Sequence, residues 1–335
     1  MKQPLVSIII TNYNRKKYLK RCIESLYQNN YKNVELILVD DCSTDGSVDF
    51  VKDLFPDVKV IHNEENKGLA VSSNIGAKLA KGKYILFYNN DTIASPDMIA
   101  ELSKVAEGNS RIGVCAPKSI TYGGKNEICC GVSCDIFGYP CSSDMIDPDR
   151  PIYADAAIFI RRNVFEEIGG FDSQFFLYGE DIDLCWRVII QGYEIVPVST
   201  AIFRHNSSCA PTKGDQHTTS LRGKYLVERQ TLRMFLKNYS FKSLVLLLPI
   251  YLTLLFGEMI IFSLLARNIK ILRAYTGAIS WNLFNIKSTI KFHNKIQKMR
   301  KISDKLVQKR MYKGWAKYCV FKSIGIPKIS EDVVR

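Results

Sequence analysis

Short apolar runs and helical patterns alternate along the first 120 residues, and no other feature of the sequence constrains the fold as strongly. Val6–Thr11 is apolar and ends in polar residues, which is typical of a buried parallel strand. Further strands are predicted at Glu35–Asp40, Val58–His62, Tyr84–Tyr88 and Ile112–Ala116. Strands that alternate with helices imply right-handed crossovers. We therefore predict an α/β fold with a mostly parallel sheet flanked by helices, whose ligands bind beyond the carboxyl ends of the strands.

The segment after the fifth predicted strand is harder to interpret. Residues 118–150 are predicted to be irregular because they are rich in Gly, Cys, Ser, Asp and Pro. A strand at Ala154–Ile160 and a helix at Asp181–Gln191 follow. Four cysteines cluster in the irregular segment, at Cys129, Cys130, Cys134 and Cys141. Their spacing fits no common zinc pattern, so either a metal site or a Cys-rich surface loop is consistent with it.

Charge is concentrated at the C-terminal end of the chain. The whole chain carries +13, whereas residues 267–335 alone contain 17 Lys and Arg against three acids and carry +14. The preceding part is therefore nearly neutral, and the basicity belongs to the tail. A basic tail indicates a polyanionic partner, which is either a nucleic acid or an acidic lipid surface.

An apolar run precedes this basic tail. Leu244–Leu265 is long enough to span a membrane, but Lys242 before it and Arg267 and Lys270 after it give no inside–outside signal. A pair of interfacial helices or a shallow re-entrant hairpin fits as well as a span. Because an apolar run adjoins the charge and stacking aromatics are sparse, an anionic membrane surface is favoured and nucleic acid is not expected. We predict a helical, membrane-associated region over residues 236–335.

Polar side chains follow the first two predicted strands. Thr11, Tyr13 and Asn14 come after the first strand and can wrap a base and a ribose, although an ordinary strand-to-helix loop would look the same. Asp40 and Asp41 end the second strand, where carboxylates can accept hydrogen bonds from a pyrimidine N–H and from ribose hydroxyls. The alternative for Asp41 is a solvated turn.

A third polar segment contains Asn66, Lys67 and Gly68, followed by Asn74. Gly68 permits close approach of a ligand to the backbone, and Lys67 is suited to facing a phosphate. We therefore predict that these four residues, together with Asn90 after the fourth strand, bind the donor nucleotide.

Asn89, Asn90 and Asp91 directly follow the fourth predicted strand. A carboxylate flanked by amides at this position suits a hard divalent cation, Mg²⁺ or Mn²⁺, which binds through one or two carboxylates plus substrate phosphates. Such a cation offsets the charge on a departing nucleoside diphosphate.

A fourth segment combines acids with aromatic residues around the start of a helix. It contains Asp172, Tyr178, Glu180, Asp181 and Trp186, which we predict to lie on the acceptor side. A carboxylate such as Asp181, held at the sheet edge, can act as general base on an acceptor hydroxyl. The nearby aromatic rings offer a sugar a flat apolar face.

With these four segments in this order, residues 5–235 resemble the family-2 glycosyltransferases with the Rossmann-like GT-A fold, and most closely their rhamnosyltransferase-like branch. The resemblance implies that Asp41 contacts the nucleobase, with Asp40 beside it. It implies that Asp91 is the main metal ligand, with Asn89 in place of the family's first aspartate. It also implies that His205 completes the metal site and that Asp181 is the catalytic base.

The resemblance implies an inverting, metal-dependent transfer of a sugar from a nucleotide-sugar donor to a hydroxyl of a glycan or lipid-linked glycan, at the cytoplasmic face of a membrane. Residues 1–235 would form the catalytic domain, with a donor half at 1–117 and an acceptor half at 118–235. A dinucleotide-binding protein is disfavoured because no Gly-rich turn follows the first strand. A catalytically degenerate module that binds a nucleotide-sugar or a glycan is the remaining alternative, because the first metal aspartate is replaced by Asn89.

Overall fold

The structure is a computed structural model that describes residues 3–122, 127–141, 151–206, 218–325 and 328–330. The chain forms two compact units. The first comprises Met1–Ser133 and Ile146–Cys209, and the second comprises Cys134–Met145 and Ala210–Arg335. The functional division at residue 235 stays a prediction.

The first unit is built on a sheet that has nine strands within the described residues. The strands are β1 (Val6–Asn12), β2 (Val34–Asp40), β3 (Lys59–His62), β4 (Tyr84–Asn89), β5 (Thr92–Ala94), β6 (Ile112–Thr121), β7 (Glu127–Cys130), β8 (Ala157–Arg161) and β9 (Glu194–His205). Their order is β3-β2-β1-β4-β8-β6-β9-β5, with β7 paired to β6. The five strands predicted in the first 120 residues are all present.

Strand direction divides the sheet into two parts. The strands β3, β2, β1 and β4 are mutually parallel, as alternation with helices predicts. β8 then runs antiparallel to both β4 and β6, so the sheet as a whole is mixed. Residues 118–150 were predicted to be irregular, and this is wrong at their start. β6 continues to Thr121 and pairs with β7, because both edges of β6 find a partner strand.

Helices flank this sheet. They are α1 (Lys16–Tyr27), α2 (Ser47–Leu54), α3 (Leu69–Leu79), α4 (Met98–Gly108), α5 (Arg162–Glu167) and α6 (Glu180–Ile190). α1 buries Leu19, Cys22, Ile23 and Leu26, which recur at helical spacing and join the apolar face of the sheet. The apolar residues of the strands therefore lie in the core, and their polar ends lie at the sheet edge.

The described part of the second unit is mainly helical. Its elements are β10 (Thr218–Ser220), α7 (Leu221–Asn238), α8 (Phe241–Leu265), α9 (Lys270–Phe284), α10 (Ile286–Met299), α11 (Asp304–Gln308), α12 (Ala316–Ile324) and β11 (Lys328–Ser330). α7 packs against α9 and α10, and α8 packs against α9. The apolar run forms one continuous helix, α8, rather than a helix pair or a hairpin. By length and composition alone, α8 is able to cross a membrane.

Candidate active site

A chain of polar contacts joins the carboxyl ends of the four parallel strands. Asn90 Nδ2, after β4, donates to Asn12 Oδ1 at 2.8 Å, and Asn12 Nδ2 donates to Asp40 Oδ1 at 2.9 Å. His62 Nδ1, at the end of β3, lies 2.9 Å from Asp40 Oδ2. Parallel neighbours end at one edge of a sheet, which is why these residues meet. Asn12 and His62 were not among the predicted site residues, although each is the polar residue that ends its strand.

Asp41 fixes the loop before α3. It is almost fully buried, and its Oδ1 accepts hydrogen bonds from Asn63 Nδ2 at 2.8 Å and from the Lys67 backbone N–H at 2.9 Å. Its Oδ2 accepts from the Gly68 N–H at 2.8 Å, and Asn66 Oδ1 lies 3.2 Å from the same N–H. The Asp41 carboxylate therefore shapes the loop that was predicted to bind the donor.

Gly68 makes its close approach to protein backbone. Its φ is +85°, and a Cβ at this position would overlap the carbonyl group of Phe176. The Leu69 N–H donates to that carbonyl oxygen at 2.8 Å. Asn74 makes a second link. Its Nδ2 donates to the Phe171 carbonyl oxygen and its Oδ1 accepts from the Phe171 N–H, each at 2.9 Å. The loop before α3 is thus attached to the segment that leads into α6.

The loop after β1 is attached to the loop after β2. The Asn14 N–H donates to Ser43 Oγ at 2.9 Å, and Asn14 Oδ1 accepts from the Thr44 N–H at 2.8 Å. Thr11 lines a cleft at the sheet edge, and Tyr13 is half-buried. Thr11 therefore lies at the carboxyl end of β1, and Tyr13 and Asn14 lie in the following loop, which the loop after β2 supports.

Asp91 and His205 face each other. β5 pairs with β9 so that Thr92 is opposite His205, which brings His205 Nε2 to 3.2 Å from Asp91 Oδ1. Both side chains are largely buried. Burial alone would raise the pKa of Asp91, but the hydrogen bond and charge of His205 outweigh it and lower the pKa. The sheet register thus brings together two residues that lie 114 positions apart in the sequence.

An acidic cleft lies beside this pair. Thr11, Asn89, Asp155, Glu180 and Asp181 line it. Glu180 is 7% exposed, and its Oε2 has no hydrogen-bond partner among the described residues. Burial, with the nearby Asp155 charge, raises the pKa of Glu180 to about 7. Burial together with Glu180 and Asp155 raises the pKa of Asp181 well above its ordinary value.

Asp155 is the acid that the sequence interpretation missed. The strand was predicted to begin at Ala154, but β8 begins at Ala157, so Asp155 lies in the preceding loop and faces the cleft. Burial raises its pKa, and Asp155 interacts electrostatically with His205 and Asp91. The next residue, Ala156, has a φ of +58°, a strained conformation for a residue with a side chain. The signal available in the sequence was an acid directly before an apolar strand.

The remaining acceptor-side residues differ in exposure. Asp172 is buried in a turn, where its Oδ1 accepts from the Gln174 N–H at 3.1 Å. Tyr178 is 47% exposed and precedes α6 with a φ of +75°. Trp186 is fully buried, which corrects its assignment as a sugar-facing aromatic. Its position in α6 turns the ring into the core, so Tyr178 is the exposed aromatic of this segment.

The residues present fit a divalent cation in part. Asp91 offers a carboxylate and His205 an imidazole, a donor set that Mn²⁺ accepts with substrate phosphates and water as further ligands. Within the described ranges, no three His, Cys, Asp or Glu side chains are grouped closely enough to hold a metal ion. In the part described, the cysteine cluster therefore forms no such group. The side chain of Cys129 lies outside the described residues.

The known proteins that are similar to this chain in sequence are glycosyltransferases. Residues 7–169, just under half of the chain, match the family model described as glycosyl transferase family 2. An uncharacterized glycosyltransferase of Haemophilus influenzae is 41% identical over 108 residues, which is 32% of this chain and 36% of the relative. TuaG of Bacillus subtilis, named for teichuronic acid biosynthesis, is 36% identical over 92 residues, 27% of this chain and 36% of the relative. The matched segment thus spans about a third of these curated relatives.

A solved structure supports the fold. GalNAc-T7 with UDP, GalNAc and Mn²⁺ superposes with a TM-score of 0.53 at 19% identity, covering 69% of this chain and 47% of that chain. The GT-A fold class predicted from the sequence is confirmed. The family match and the relatives support a family-2 glycosyltransferase. The matched range contains Asp41, Asp91 and Asp155 but ends before Glu180 and Asp181.

Proposed function

We propose that this chain is an inverting family-2 glycosyltransferase, which transfers a sugar from a nucleotide-sugar donor to a hydroxyl of a glycan or lipid-linked glycan. The observation that carries the proposal is the acidic cleft at the carboxyl ends of the strands. Asp181 lines this cleft together with Glu180, Asp155 and Asn89, and the Asp91–His205 pair lies beside it. This is the edge at which open α/β sheets bind their ligands.

Asp181 is proposed to act as the general base. Its carboxylate removes the proton from the acceptor hydroxyl while the hydroxyl oxygen attacks the anomeric carbon. The bond to the nucleoside diphosphate breaks in the same displacement, so the configuration at that carbon inverts. A raised pKa makes the ionised Asp181 carboxylate a stronger base, and the neighbouring acids and burial supply that rise.

A divalent cation, Mg²⁺ or Mn²⁺, is proposed as cofactor. Asp91 and His205 would hold it, and Asn89 lines the acidic cleft beside them. When bound, such an ion offsets the negative charge of the leaving diphosphate. The Mn²⁺ in the GalNAc-T7 structure supports this assignment by analogy of fold.

The donor nucleotide is proposed to lie along the polar strand ends that Asn12 and Asp40 connect. Asn14 and Lys67 lie in the flanking loops, where Lys67 is suited to a phosphate. A hexosyl or deoxyhexosyl donor, and a rhamnosyltransferase-like specificity, are proposals that rest on the sequence resemblance.

Membrane association at the cytoplasmic face is also proposed. The apolar helix α8 and the basic C-terminal segment support it. A glycosyltransferase relative that is named for teichuronic acid biosynthesis supports a role in cell-surface polysaccharide assembly.

A donor screen tests the proposed function. Full-length protein is supplied with nucleotide-sugars, Mn²⁺ and a pool of lipid-linked acceptors, and nucleotide release is measured. Asp181→Asn should lose at least ~10²-fold in turnover, the lower end of general-base contributions, with donor affinity kept. Asp53→Asn, the same change at an exposed acid on α2, is the matched control and should be unaffected.

The outcomes separate the alternatives. If the wild type turns over a donor and Asp181→Asn keeps that turnover, the assignment of the base is contradicted. Donor binding without turnover for any donor would instead support a degenerate binding module. The hypothesis of a degenerate module is supported by the amide of Asn89, because an amide is a weaker metal ligand than the carboxylate of Asp91.

A further inference from the structure

One face of α8 packs within the second unit. Tyr251, Leu255, Met259 and Phe262 are buried and recur every three or four residues, as one side of a helix requires. The Tyr251 ring stacks on Phe235 of α7 with their centroids 5.0 Å apart. This face belongs to the core of the unit.

The other face of α8 is apolar and exposed. Among the described residues, the large side chains on it are 44–74% exposed. They are Phe241, Val245, Leu246, Ile250, Phe256, Ile260, Ile261, Leu264 and Leu265. A row of exposed apolar residues along 25 helical positions is far more than scattered surface hydrophobics, and it marks an interaction surface.

A buried ion network ties α8 to the rest of the second unit. Glu258 accepts from Lys224 of α7 at 2.7 Å, from Lys317 of α12 at 2.8 Å and from the Tyr275 hydroxyl of α9 at 2.6 Å. Glu228 of α7 completes the network, with Lys317 at 2.7 Å and Lys224 at 3.0 Å. Each of the four charged side chains is at most 15% exposed.

This network opposes a transmembrane arrangement of α8. Glu258 lies five residues from the middle of the helix, about 7 Å along its axis, whereas the half-thickness of the hydrocarbon core is about 15 Å. A span centred on α8 would therefore place Glu258 in hydrocarbon. It would either break three charge-assisted hydrogen bonds or draw Lys224, Lys317 and Glu228 in with it, and both are costly.

The charges at the ends of α8 fit a single leaflet. Lys242 lies at one end and Arg267 and Lys270 at the other, and all three are exposed. A helix that lies flat brings both basic ends to the same plane of headgroups. The segment 267–335, with its +14 charge, adds to the attraction that an anionic surface exerts.

We infer that α8 lies in the plane of an anionic phospholipid leaflet, with its exposed apolar face inserted and its Glu258 face retained in the protein. This inference rests on the proposed membrane association and specifies its mode. The occupant of the apolar face is thus the headgroup and upper acyl region of one leaflet, and no part of α8 crosses the bilayer.

A depth measurement tests the mode. Leu246, Thr253 and Leu264 lie along one line of the exposed face, because their separations are close to whole numbers of turns. An environment-sensitive fluorescent amino acid is placed at each position of the full-length chain. The variants are bound to vesicles of phosphatidylcholine and phosphatidylglycerol that contain lipids brominated at shallow or deep acyl positions.

The two modes predict different quenching. A flat helix gives the same shallow profile at all three positions. A spanning helix places the probes about 10, 0 and 16 Å from the bilayer centre, so that position 253 is quenched by deep bromines and position 264 only by shallow ones. A graded profile would overturn the flat arrangement while leaving membrane association intact. Absence of binding to any vesicle would overturn both, and glycosyl transfer would still be measurable separately with a water-soluble acceptor.

A charge placed on the exposed face of α8 provides a second test. Ile250→Glu adds a charge to the exposed face without touching the buried one, and it should weaken vesicle binding at least tenfold with unchanged thermal stability. Leu54→Glu is the matched control, because Leu54 on α2 is 50% exposed against 52% for Ile250. Equal vesicle binding by the wild type and both variants would contradict the assignment of this face.

Discussion

Replacing Glu258 by glutamine tests whether the ion network holds α8 in the second unit. The change keeps the size of the side chain and removes its charge, so Lys224 and Lys317 are left to share Glu228. Burial would raise the pKa of Glu258, but the two lysines lower it from 4.5 to about 2. At 1.36 kcal/mol for each tenfold change in acidity, that fall corresponds to about 3 kcal/mol of stability. Breaking buried ion pairs costs ~3–5 kcal/mol, which agrees.

The assay is equilibrium unfolding in urea at neutral pH, followed by tryptophan fluorescence. Trp281 and Trp315 belong to the second unit and report on its unfolding, whereas Trp186 belongs to the first unit and reports on the unit that contains the control below. Glu258→Gln should lower the free energy of unfolding by about 3 kcal/mol. Glu166→Gln is the control, because Glu166 forms an exposed pair with Arg162 at 3.9 Å and such pairs contribute ~0–1 kcal/mol.

The pH dependence supplies an independent check with a defined sign. The pKa of Glu258 is lower in the folded state than in the unfolded one, so its contribution is complete above pH 4.5 and is lost as the pH falls towards 2. The stability gap between wild type and Glu258→Gln should therefore narrow over that window. A gap at neutral pH no larger than that of the Glu166→Gln control would refute the argument for the network.

Three further predictions concern the first unit. A chelator should abolish nucleotide release, Mn²⁺ or Mg²⁺ should restore it, and Asp91→Ala should stay inactive in either metal; activity that ignores the chelator would contradict the metal assignment. Asp155→Asn removes a negative charge that raises the pKa of Asp181. The rising limb of the plot of kcat/KM against pH should therefore move to lower pH, and an unmoved limb would count against the coupling of the two acids. Gly68→Ala should destabilise the fold by at least ~1 kcal/mol in urea unfolding, because its φ is positive and its Cβ meets a backbone carbonyl; Gly108→Ala, where the Cβ meets nothing, is the control that should be near neutral.

Much of the first unit was predictable because local pattern and tertiary environment agree there. β1, β2 and β4 are buried on both faces, so their sequences are nearly continuous apolar runs that end in polar residues. β8 illustrates the limit. Its apolar sequence indicates a strand but carries no information on direction, and only the folded sheet shows that β8 runs antiparallel to β4 and β6.

The residues of the candidate site also differ in how far the sequence predicts them. Asp40, Asp91 and Asp181 were identifiable because each stands at the end of a strand or the start of a helix. Asp155 was not, because the predicted strand began three residues too early and enclosed it. Trp186 was misassigned for a different reason. Its neighbours suggested an aromatic surface, but the rotation of α6 about its axis decides which side chains turn inward.

The helix α8 carries this argument furthest. Its mean hydropathy is that of a membrane span. An average along the sequence cannot distinguish a helix that crosses a membrane from one that packs one apolar face in a protein core and exposes the other. Glu258 appears in the sequence only as an interruption of the run. Its partners Lys224 and Lys317 lie 34 residues before it and 59 residues after it, on separate helices, so their pairing exists only in the folded unit. Once those contacts form, removing Glu258 from the protein is less favourable than leaving the opposite face exposed to an adjacent leaflet. In the arrangement inferred above, the fold of the second unit, rather than the hydropathy of α8, therefore determines how this helix would meet a membrane.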